Sequence, residues 1–333
     1  MRPGKLTARE LASYVFPRCG VRRSDVLVHA APGQDAAVVG FGDEVAVLST
    51  DPITGAGRHA GWLAVQIAAN DVAAMGARPV GALVTLLLAS ATAAADASAL
   101  MADADRAARE LDVEILGGHS EITAGLPRSI VVVAAIGRAR RDRYVSSAGA
   151  RPGDAILLTK AAGLEGTAVL ASDYGASLAR AVDEGALERA RAFARDISIV
   201  GEALAAAEAG VSAMHDATEG GVLGALAELA GAAGVGVEVD ADRIPVRDET
   251  RAVCEALAID PLTLVSSGAL LIATPNPRAV REALDRGGIA VSWIGDVVAG
   301  PSRLRRDGVV RDLVAPERDA LWDAIERLSG EAG

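Results

Sequence analysis

The chain alternates between short runs of aliphatic, often β-branched residues and longer stretches whose apolar positions recur at helical spacing. Short apolar runs bounded by turn residues are typical of buried strands, and the longer periodic stretches are typical of helices packed on them. In the first half this pattern predicts strands at 25–29, 36–41, 44–50, 80–89, 113–116 and 129–136, and helices at 58–75 and 92–111.

The second half repeats this order of elements after a small, polar segment with a Pro-Gly turn, SSAGARPGDAILLTK at 146–160, which is typical of a domain boundary. We therefore expect an α/β (α+β) protein of two domains, residues 1–148 and 149–333. The pattern predicts strands at 154–159, 235–239, 269–273 and 290–297, and helices at 164–183, 187–209, 218–233, 248–258 and 277–287.

One predicted helix contains a charge that its surroundings do not explain. Asn70 and Asp71 stand in the middle of QIAANDVAAMGARP, residues 66–79, which otherwise reads as a buried helix. An ionised carboxylate is costly in an apolar interior unless something compensates its charge. The sequence therefore predicts a partner for Asp71.

Two further aspartates stand at the ends of predicted strands. Asp35 in GQDAAVV precedes a strand, and Asp51 in STDPITG follows one. Mg²⁺ is usually bound by one or two carboxylates together with phosphate oxygens of a substrate. Asp35, Asp51 and Asp71 are thus candidate metal ligands, while a turn or helix-cap role stays open for Asp35 and Asp51.

A glycine-rich segment, HDATEGGVLGAL, opens the helix predicted at 218–233. Glycine costs roughly 1 kcal/mol relative to alanine inside a helix, so Gly220 and Gly221 indicate close approach by a ligand or by other backbone. A helix N-terminus of this kind binds anions readily, and Asp216 and Thr218 lie beside it. Phosphate binding and tight helix packing are equal alternatives here.

The segment GGHSEIT, residues 117–123, predicts a turn after a buried strand. It contains Gly117 and Gly118, followed by His119 and Glu121, whose side chains share a face if the chain is extended. A histidine in such a place serves chemistry or an ordinary hydrogen bond, and the pattern leaves both open.

Composition narrows the class of protein. The net charge of -11 argues against non-specific nucleic-acid binding. No window predicts a membrane span and no secretory signal follows MRPGKLTARE, so we expect a cytoplasmic protein. Lys5 and Lys160 are the only lysines among 33 basic residues, and a compact ammonium group suits phosphate binding. The P-loop, HExxH, CxxC and GxSxG motifs are absent from the sequence.

Five segments in this order, GQDAAVV, STDPITG, ANDVAAMGARP, GGHSEIT and HDATEGG, resemble the aminoimidazole ribonucleotide (AIR) synthase superfamily. The resemblance covers residues 4–298 and is strongest to HypE-like and AIR synthase related proteins. It implies a PurM-like fold of two α/β domains, with the N-terminal sheet forming a barrel-like core in a homodimer. It also implies that ATP and Mg²⁺ bind in a cleft between the domains and across the dimer.

The resemblance assigns roles to particular residues. It implies that Asp35, Asp51 and Asp71 are the acidic ligands of metal and nucleotide. It implies that the nucleotide is also bound by Lys5, Asn70, Gly117, Gly118, Lys160, Asp216, Thr218, Gly220 and Gly221.

The sequence departs from the pattern of this superfamily at three places. His119 stands where related enzymes carry a carboxylate, and Glu121 is expected to replace that carboxylate. HypE carries an acceptor cysteine in its C-terminal tail, whereas this chain ends in IERLSGEAG, so hydrogenase maturation is not the first expectation. Cys19 lacks the sequence context of the reactive cysteine in selenophosphate synthetase, and we expect it to be buried.

The resemblance and the residues together predict an ATP- and Mg²⁺-dependent enzyme that transfers the γ-phosphoryl group to a heteroatom of a small substrate. The candidate catalytic residues are Asp51, Glu121 and His119, with His119 accepting a proton from the substrate. The alternatives are a HypE-type maturation factor acting on a partner protein and a regulatory dimer that binds the nucleotide without turnover.

Overall fold

The computed structural model describes residues 4–54 and 59–330 and contains two mixed β-sheets, each formed from one half of the chain. The strands are β1 Val26–Val28, β2 Ala37–Phe41, β3 Glu44–Ile53, β4 Arg78–Ala89, β5 Glu114–Thr123, β6 Ile130–Arg140, β7 Ala155–Thr159, β8 Ala213–Asp216, β9 Gly236–Asp240, β10 Leu270–Thr274, β11 Val291–Val298, β12 Arg303–Arg306 and β13 Val309–Asp312. The α-helices are α1 Ala8–Tyr14, α2 Ala60–Ala74, α3 Ala94–Glu110, α4 Leu164–Asp173, α5 Gly175–Leu178, α6 Glu184–Ala192, α7 Val200–Ala209, α8 Gly221–Ala233, α9 Asp248–Leu257, α10 Pro277–Arg286 and α11 Ala320–Gly330.

The first sheet has the strand order β1-β2-β3-β6-β4-β5. Its neighbours are antiparallel except β4 and β5, which run parallel and are connected through α3. One face of the sheet packs against α2, which is buried along its whole length because it also contacts α3, α7 and β8. The many alanines of α2 keep it thin enough to fit between these elements.

The second sheet has the strand order β13-β12-β9-β11-β7-β10-β8, with β7 and β10 buried along their full length. Only β9 and β12 pair in parallel. The edge strand β8 contacts α2, so the second half of the chain meets the first along this helix. The predicted α/β architecture of two domains is confirmed, while the boundary at residue 148 stays a prediction.

Apolar side chains remain exposed on the first sheet and its edge. They include Leu83 on β4 and Leu116 and Ile122 on β5, of which Ile122 is 74% exposed. Every residue of β5 is at most partly buried, so neither face of this edge strand is covered by the rest of the described chain. Within the described residues, no helix combines the length and the apolar character that crossing a bilayer requires.

The turn predicted at Gly117 and Gly118 is wrong, because β5 continues through both residues to Thr123. Both glycines have positive φ angles, +146° and +150°, and a Cβ on Gly118 would lie 1.7 Å from the carbonyl oxygen of Val84. Only glycine allows β5 to lie this close to β4. The strand predicted at 44–50 is likewise longer, so Asp51 lies within β3 and pairs with Val133.

Two predicted helices are interrupted in the structure. The helix predicted at 164–183 becomes α4 and α5, and the helix predicted at 187–209 becomes α6 and α7 with a 3₁₀ turn between them. The second interruption has a clear cause, since the side chain of Asn70 bonds the backbone there. Its Nδ2 donates to the Ile197 carbonyl over 2.8 Å, and its Oδ1 accepts from the Ile199 N–H over 2.9 Å.

Several short elements are not predicted by the hydrophobic pattern. The strands β8, β12 and β13 have four residues each, too few for a period to show. The C-terminal helix α11 was not expected either. The predicted helix at 58–75 is α2, and its first predicted residue, 58, lies outside the described residues.

We expect Asn70→Ala to lower the free energy of unfolding by about 2–4 kcal/mol, because it leaves two buried backbone groups without partners. Urea unfolding followed by circular dichroism measures the change. Asn276→Ala is the matched control, since Asn276 is exposed and its side chain does not cap α10. Equal stability of the two variants would show that Asn70 does not join α2 to the second half of the chain.

Candidate functional site

A cavity of about 510 Å³ lies between the two halves of the chain. Its walls come from the loop before β2, from β3, α2 and α4, from the start of α8 and from the C-terminal segment. Among residues 4–54 and 59–330, seven acidic residues line it together with two basic ones, Lys5 and His215. The acidic residues are Asp35, Asp51, Asp71, Glu165, Glu219, Glu228 and Asp319.

The structure brings the three predicted metal ligands together at this cavity. Asp71 points into it from α2 and is only 8% exposed. Ser49 donates a hydrogen bond to Asp71 Oδ2 over 2.5 Å. Burial and the neighbouring negative charges of Asp51 and Asp35 raise the pKa of Asp71 well above its ordinary value. Among residues 4–54 and 59–330, no Lys, Arg or His forms an ion pair with Asp71, so the partner that the sequence predicts for it stays a prediction.

Asp35 belongs to a chain of charged groups along one wall. Its Oδ1 lies 2.5 Å from Nδ1 of His215, whose Nε2 lies 3.1 Å from Glu228 Oε2. Lys5 Nζ follows, 3.4 Å from Glu228 Oε1. Although burial disfavours the imidazolium, Asp35 and Glu228 raise the pKa of His215 to about 10. Burial raises the pKa of Glu228, but His215 and Lys5 outweigh it and lower the value to about 2.

Burial also raises the pKa values of three other carboxyl groups, although Asp216 lies near the cations His215 and Lys160. Burial, reinforced by Asp35, raises the pKa of Asp216 well above its ordinary value, and neither of its carboxyl oxygens has a hydrogen-bond partner. Burial raises the pKa of Glu165 to about 7, and one of its oxygens also lacks a partner. Burial likewise raises the pKa of Asp319 to about 7, despite hydrogen bonds from three backbone N–H groups.

These residues fit a bound Mg²⁺ and polyphosphate. Asp35 lines the cavity, and its buried Oδ2, which has no hydrogen-bond donor, is the kind of hard donor atom that Mg²⁺ prefers, whereas the predicted ligand Asp216 does not line the cavity. In residues 4–54 and 59–330, no group of three or more His, Cys, Asp or Glu is arranged to hold an ion alone. That agrees with a Mg²⁺ site completed by phosphate oxygens, which uses one or two protein carboxylates.

The glycine-rich start of α8 lies beside the cavity, and Thr218 lines it. The backbone N–H of Gly220 donates to Asp319 Oδ2 over 2.6 Å, so it is already occupied. A Cβ on Gly221, where φ is +62°, would lie 2.6 Å from the Leu262 carbonyl oxygen. Of the two alternatives left open for these glycines, the contacts favour tight packing.

Several predicted ligands do not reach this cavity. Lys160 Nζ donates to the carbonyl oxygens of Asp196 and Ser198 and forms a 3.0 Å ion pair with Glu202. Its ammonium group is thus fully engaged within the second half, and its predicted phosphate contact is not supported. The side-chain amide of Asn70 is likewise engaged, in its hydrogen bonds to the backbone of Ile197 and Ile199.

The residues of GGHSEIT also lie elsewhere. Gly117, Gly118, His119 and Glu121 are exposed on β5 and do not line the cavity of their own chain. His119 Nε2 lies 3.4 Å from Glu121 Oε2, and Thr123 donates to the other carboxylate oxygen over 2.8 Å. A catalytic role for His119 or Glu121 therefore needs a ligand bound outside their own cavity.

The structure adds residues to the site that the sequence pattern did not single out. His215 lies within HDATEGG but is not among the predicted ligands, and the structure shows that it is the partner of Asp35. Glu165, Glu228 and Asp319 occur in ordinary helical or loop sequence, so no local signal marks them. Cys19 is exposed, so the expected burial was wrong, whereas Cys254 is buried and its thiol pKa is raised to about 12 by burial.

We expect the metal-free protein to lose stability as pH rises from about 4.5 to about 7. Glu165 and Asp319 have pKa values of about 7 when folded, against ordinary values of 4.5 and 3.8. In this window the folded state binds more protons than the unfolded state. The free energy of unfolding is therefore highest at low pH and decreases as the pH rises. Glu165 alone contributes up to about 3 kcal/mol.

Urea unfolding between pH 4.5 and 8 in the presence of EDTA measures this dependence. His215 acts in the same direction at higher pH, because its raised pKa of about 10 extends the loss beyond pH 6.5. Glu165→Gln removes one titrating group and should flatten the slope. Stability that rises from pH 4.5 to pH 7 would contradict the burial of these carboxyl groups.

Both halves of the chain are similar to known proteins. The family model of the AIR synthase related protein, N-terminal domain, matches residues 33–139, and that of the C-terminal domain matches residues 151–306. The carbamoyl dehydratase HypE of Azotobacter vinelandii is 32% identical over 268 residues, covering 77% of this chain and 76% of that protein. The selenide, water dikinase of Myxococcus xanthus is 28% identical over 329 residues, covering 89% and 91%.

Solved structures give the same picture. A crystal structure of the hydrogenase maturation protein HypE in complex with ATP superimposes with a TM-score of 0.71 at 26% identity, covering 96% of this chain and 97% of that one. AaThiL complexed with AMPPCP and TMP also has a TM-score of 0.71, covering 86% and 90%. At 22% identity, the latter likeness concerns the fold alone.

Proposed function

We propose that this chain, which belongs to the AIR synthase related family, is an ATP- and Mg²⁺-dependent enzyme that transfers the γ-phosphoryl group to a heteroatom of a small substrate. The observation that carries the proposal is the meeting of Asp35, Asp51 and Asp71 in one cavity with a large excess of carboxylates. Such a cavity repels a free polyphosphate and accepts it only together with divalent cations.

Each group at the cavity has a role in this proposal. Asp35, Asp51 and Asp71 would hold Mg²⁺, which neutralises phosphate charge when it is bound. Lys5 lies on the cavity wall and adds a fixed positive charge. The ion pair with His215 fixes the orientation of the Asp35 side chain. Thr218 offers a hydroxyl group to the phosphates from the start of α8.

The relatives support the use of ATP. HypE, similar to this chain along nearly its entire length, has been solved in complex with ATP. A selenide, water dikinase is similar along nine-tenths of its own length. Neither comparison identifies the acceptor for this chain.

We further propose that the chain is a homodimer in which a second copy covers the first sheet. The exposed apolar residues Leu48 and Leu83 favour this contact, since their pairing with Ile136 and Ala134 of β6 places them on one face of the sheet, and exposed apolar side chains on one face are typical of an interaction surface. His119 and Glu121 lie on the same sheet edge. If they serve catalysis, they act on a nucleotide that a second copy binds.

A second candidate function is that of a maturation factor acting on a partner protein. It is favoured by the 32% identity to a carbamoyl dehydratase HypE and by the likeness to HypE in a HypE-HypF complex. In the part of the chain that the structure describes, neither Cys19 nor Cys254 lines the cavity. A thiol acceptor would therefore come from the partner.

Asp71→Asn is expected to weaken binding of MgATP about a hundredfold or more, because it removes a metal-facing carboxylate from a site built around Mg²⁺. In the absence of Mg²⁺ the same variant should be more stable than the wild type, since it relieves repulsion from Asp51 and Asp35. Isothermal titration calorimetry and thermal unfolding measure the two effects.

Asp105→Asn is the control for this variant, because Asp105 is exposed on α3 and pairs only with Arg109. It should leave MgATP affinity unchanged. Unaltered MgATP affinity in Asp71→Asn would refute the assignment of the metal ligands. ADP release by the wild type separates an enzyme from a silent nucleotide-binding dimer, for which tight MgATP binding occurs without turnover.

A further inference from the structure

A second cavity, of about 1150 Å³, adjoins the first between α2 and α3 on one side and α4 and α6 on the other. Glu165 and Val169 of α4 line both cavities, so the two spaces meet at these side chains. Glu165 is the only ionisable residue that they share. One of its carboxylate oxygens is buried and has no hydrogen-bond partner.

The two cavities differ in chemical character. The second has an apolar floor that includes Trp62, Leu63 and Ile197. Its rim carries four arginines beside four acidic residues, Glu110, Glu165, Asp173 and Glu188, whereas no arginine of residues 4–54 and 59–330 lines the first cavity. A ring or other flat apolar group fits such a floor, and planar guanidinium groups suit carboxylate or phosphate.

Most of these arginines already have partners. Arg106 pairs with Asp103, Arg189 with Glu249, and Arg191 with Glu184. Arg195 is exposed and, among residues 4–54 and 59–330, makes no hydrogen bond or ion pair. The guanidinium group of Arg195 is therefore the one available to a ligand.

We infer that the second cavity binds the phosphoryl acceptor, a small molecule with an apolar ring and an anionic group. Arg195 pairs with the anionic group, and Glu165 contacts the reacting hydroxyl where the cavities meet. The inference rests on the proposed function, because the first cavity must hold the ATP phosphates for the acceptor to be in reach.

The proposed phosphoryl transfer needs only ATP, the acceptor and the carboxylate of Glu165. The acceptor oxygen forms a bond to the γ-phosphorus, the bond from that phosphorus to the β,γ-bridging oxygen breaks, and ADP leaves. The hydroxyl proton passes to the Glu165 carboxylate. A carboxyl group whose pKa burial has raised to about 7 is matched to accept a proton near neutral pH.

Binding of the acceptor in the second cavity is tested with single-tryptophan variants, because each of the two cavities is lined by one of the three tryptophans of the protein. The variant with Trp293→Phe and Trp322→Phe retains Trp62, which lines the second cavity. Phenyl phosphate is the probe, and its neutral and cationic controls are benzyl alcohol and benzylamine. Phenyl phosphate should change the Trp62 emission with saturation, and the two controls should bind at least about tenfold more weakly.

Arg195→Gln in this background should weaken phenyl phosphate binding about tenfold, while Arg278→Gln, on the exposed face of α10, should leave it unchanged. The reverse variant, with Trp62→Phe and Trp293→Phe, retains Trp322 at the first cavity and reports MgATP. A Trp322 response to MgATP without any Trp62 response to phenyl phosphate would overturn the inference and leave the proposed function standing.

The role of Glu165 is tested by ADP release from MgATP with water as the acceptor. Glu165→Gln should slow release about a hundredfold while its MgATP affinity stays within about twofold of the wild type. Glu255→Gln, exposed on α9, is the control and should turn over normally. Normal turnover by Glu165→Gln would overturn its role. Failure of the wild type to bind MgATP would instead refute the proposed function.

Discussion

Asp71 lies in a helix that is buried along its whole length, and its charge faces those of Asp51 and Asp35 across one cavity. This repulsion is the constraint on which the rest of the site depends. The fold tolerates it because α2 is held firmly between the first sheet, α3 and α7. Packing energy from the apolar flanks of α2 offsets the cost of a charge that becomes favourable only when a cation is present.

The two halves of the chain contribute complementary parts to the site. The first half supplies the three aspartates and one wall of the second cavity, and the second half supplies His215, Glu165 and the opposite wall. Asn70 joins the halves through the backbone of residues 197–199, next to the unpaired Arg195. The residue beside the metal-facing carboxylate therefore fixes the relative position of the proposed nucleotide and acceptor sites.

Most elements and three cavity-lining aspartates were predicted from the sequence. Asp71 was found because a charge inside an apolar helix is a local contradiction, and Asp35 and Asp51 were found from their places at strand ends and from the family resemblance. It could not show that Asn70 and Lys160 are taken up by contacts with residues distant in the chain, among them Ile197 and Glu202. The continuation of β5 through Gly117 and Gly118 depends on the parallel neighbour β4. Glu165 was missed because an acid in the first turn of a helix is unremarkable by itself.

The central claim is that Mg²⁺, bound together with the ATP phosphates, compensates the negative charge of carboxyl groups that otherwise remain protonated. Calorimetric titration of MgATP at pH 7, repeated in buffers of different ionisation enthalpy, measures the protons exchanged on binding. Because Asp71 has a raised pKa and would hold Mg²⁺, we expect net proton release when MgATP binds. Binding with no proton release, or equal binding of ATP in EDTA, would contradict the account.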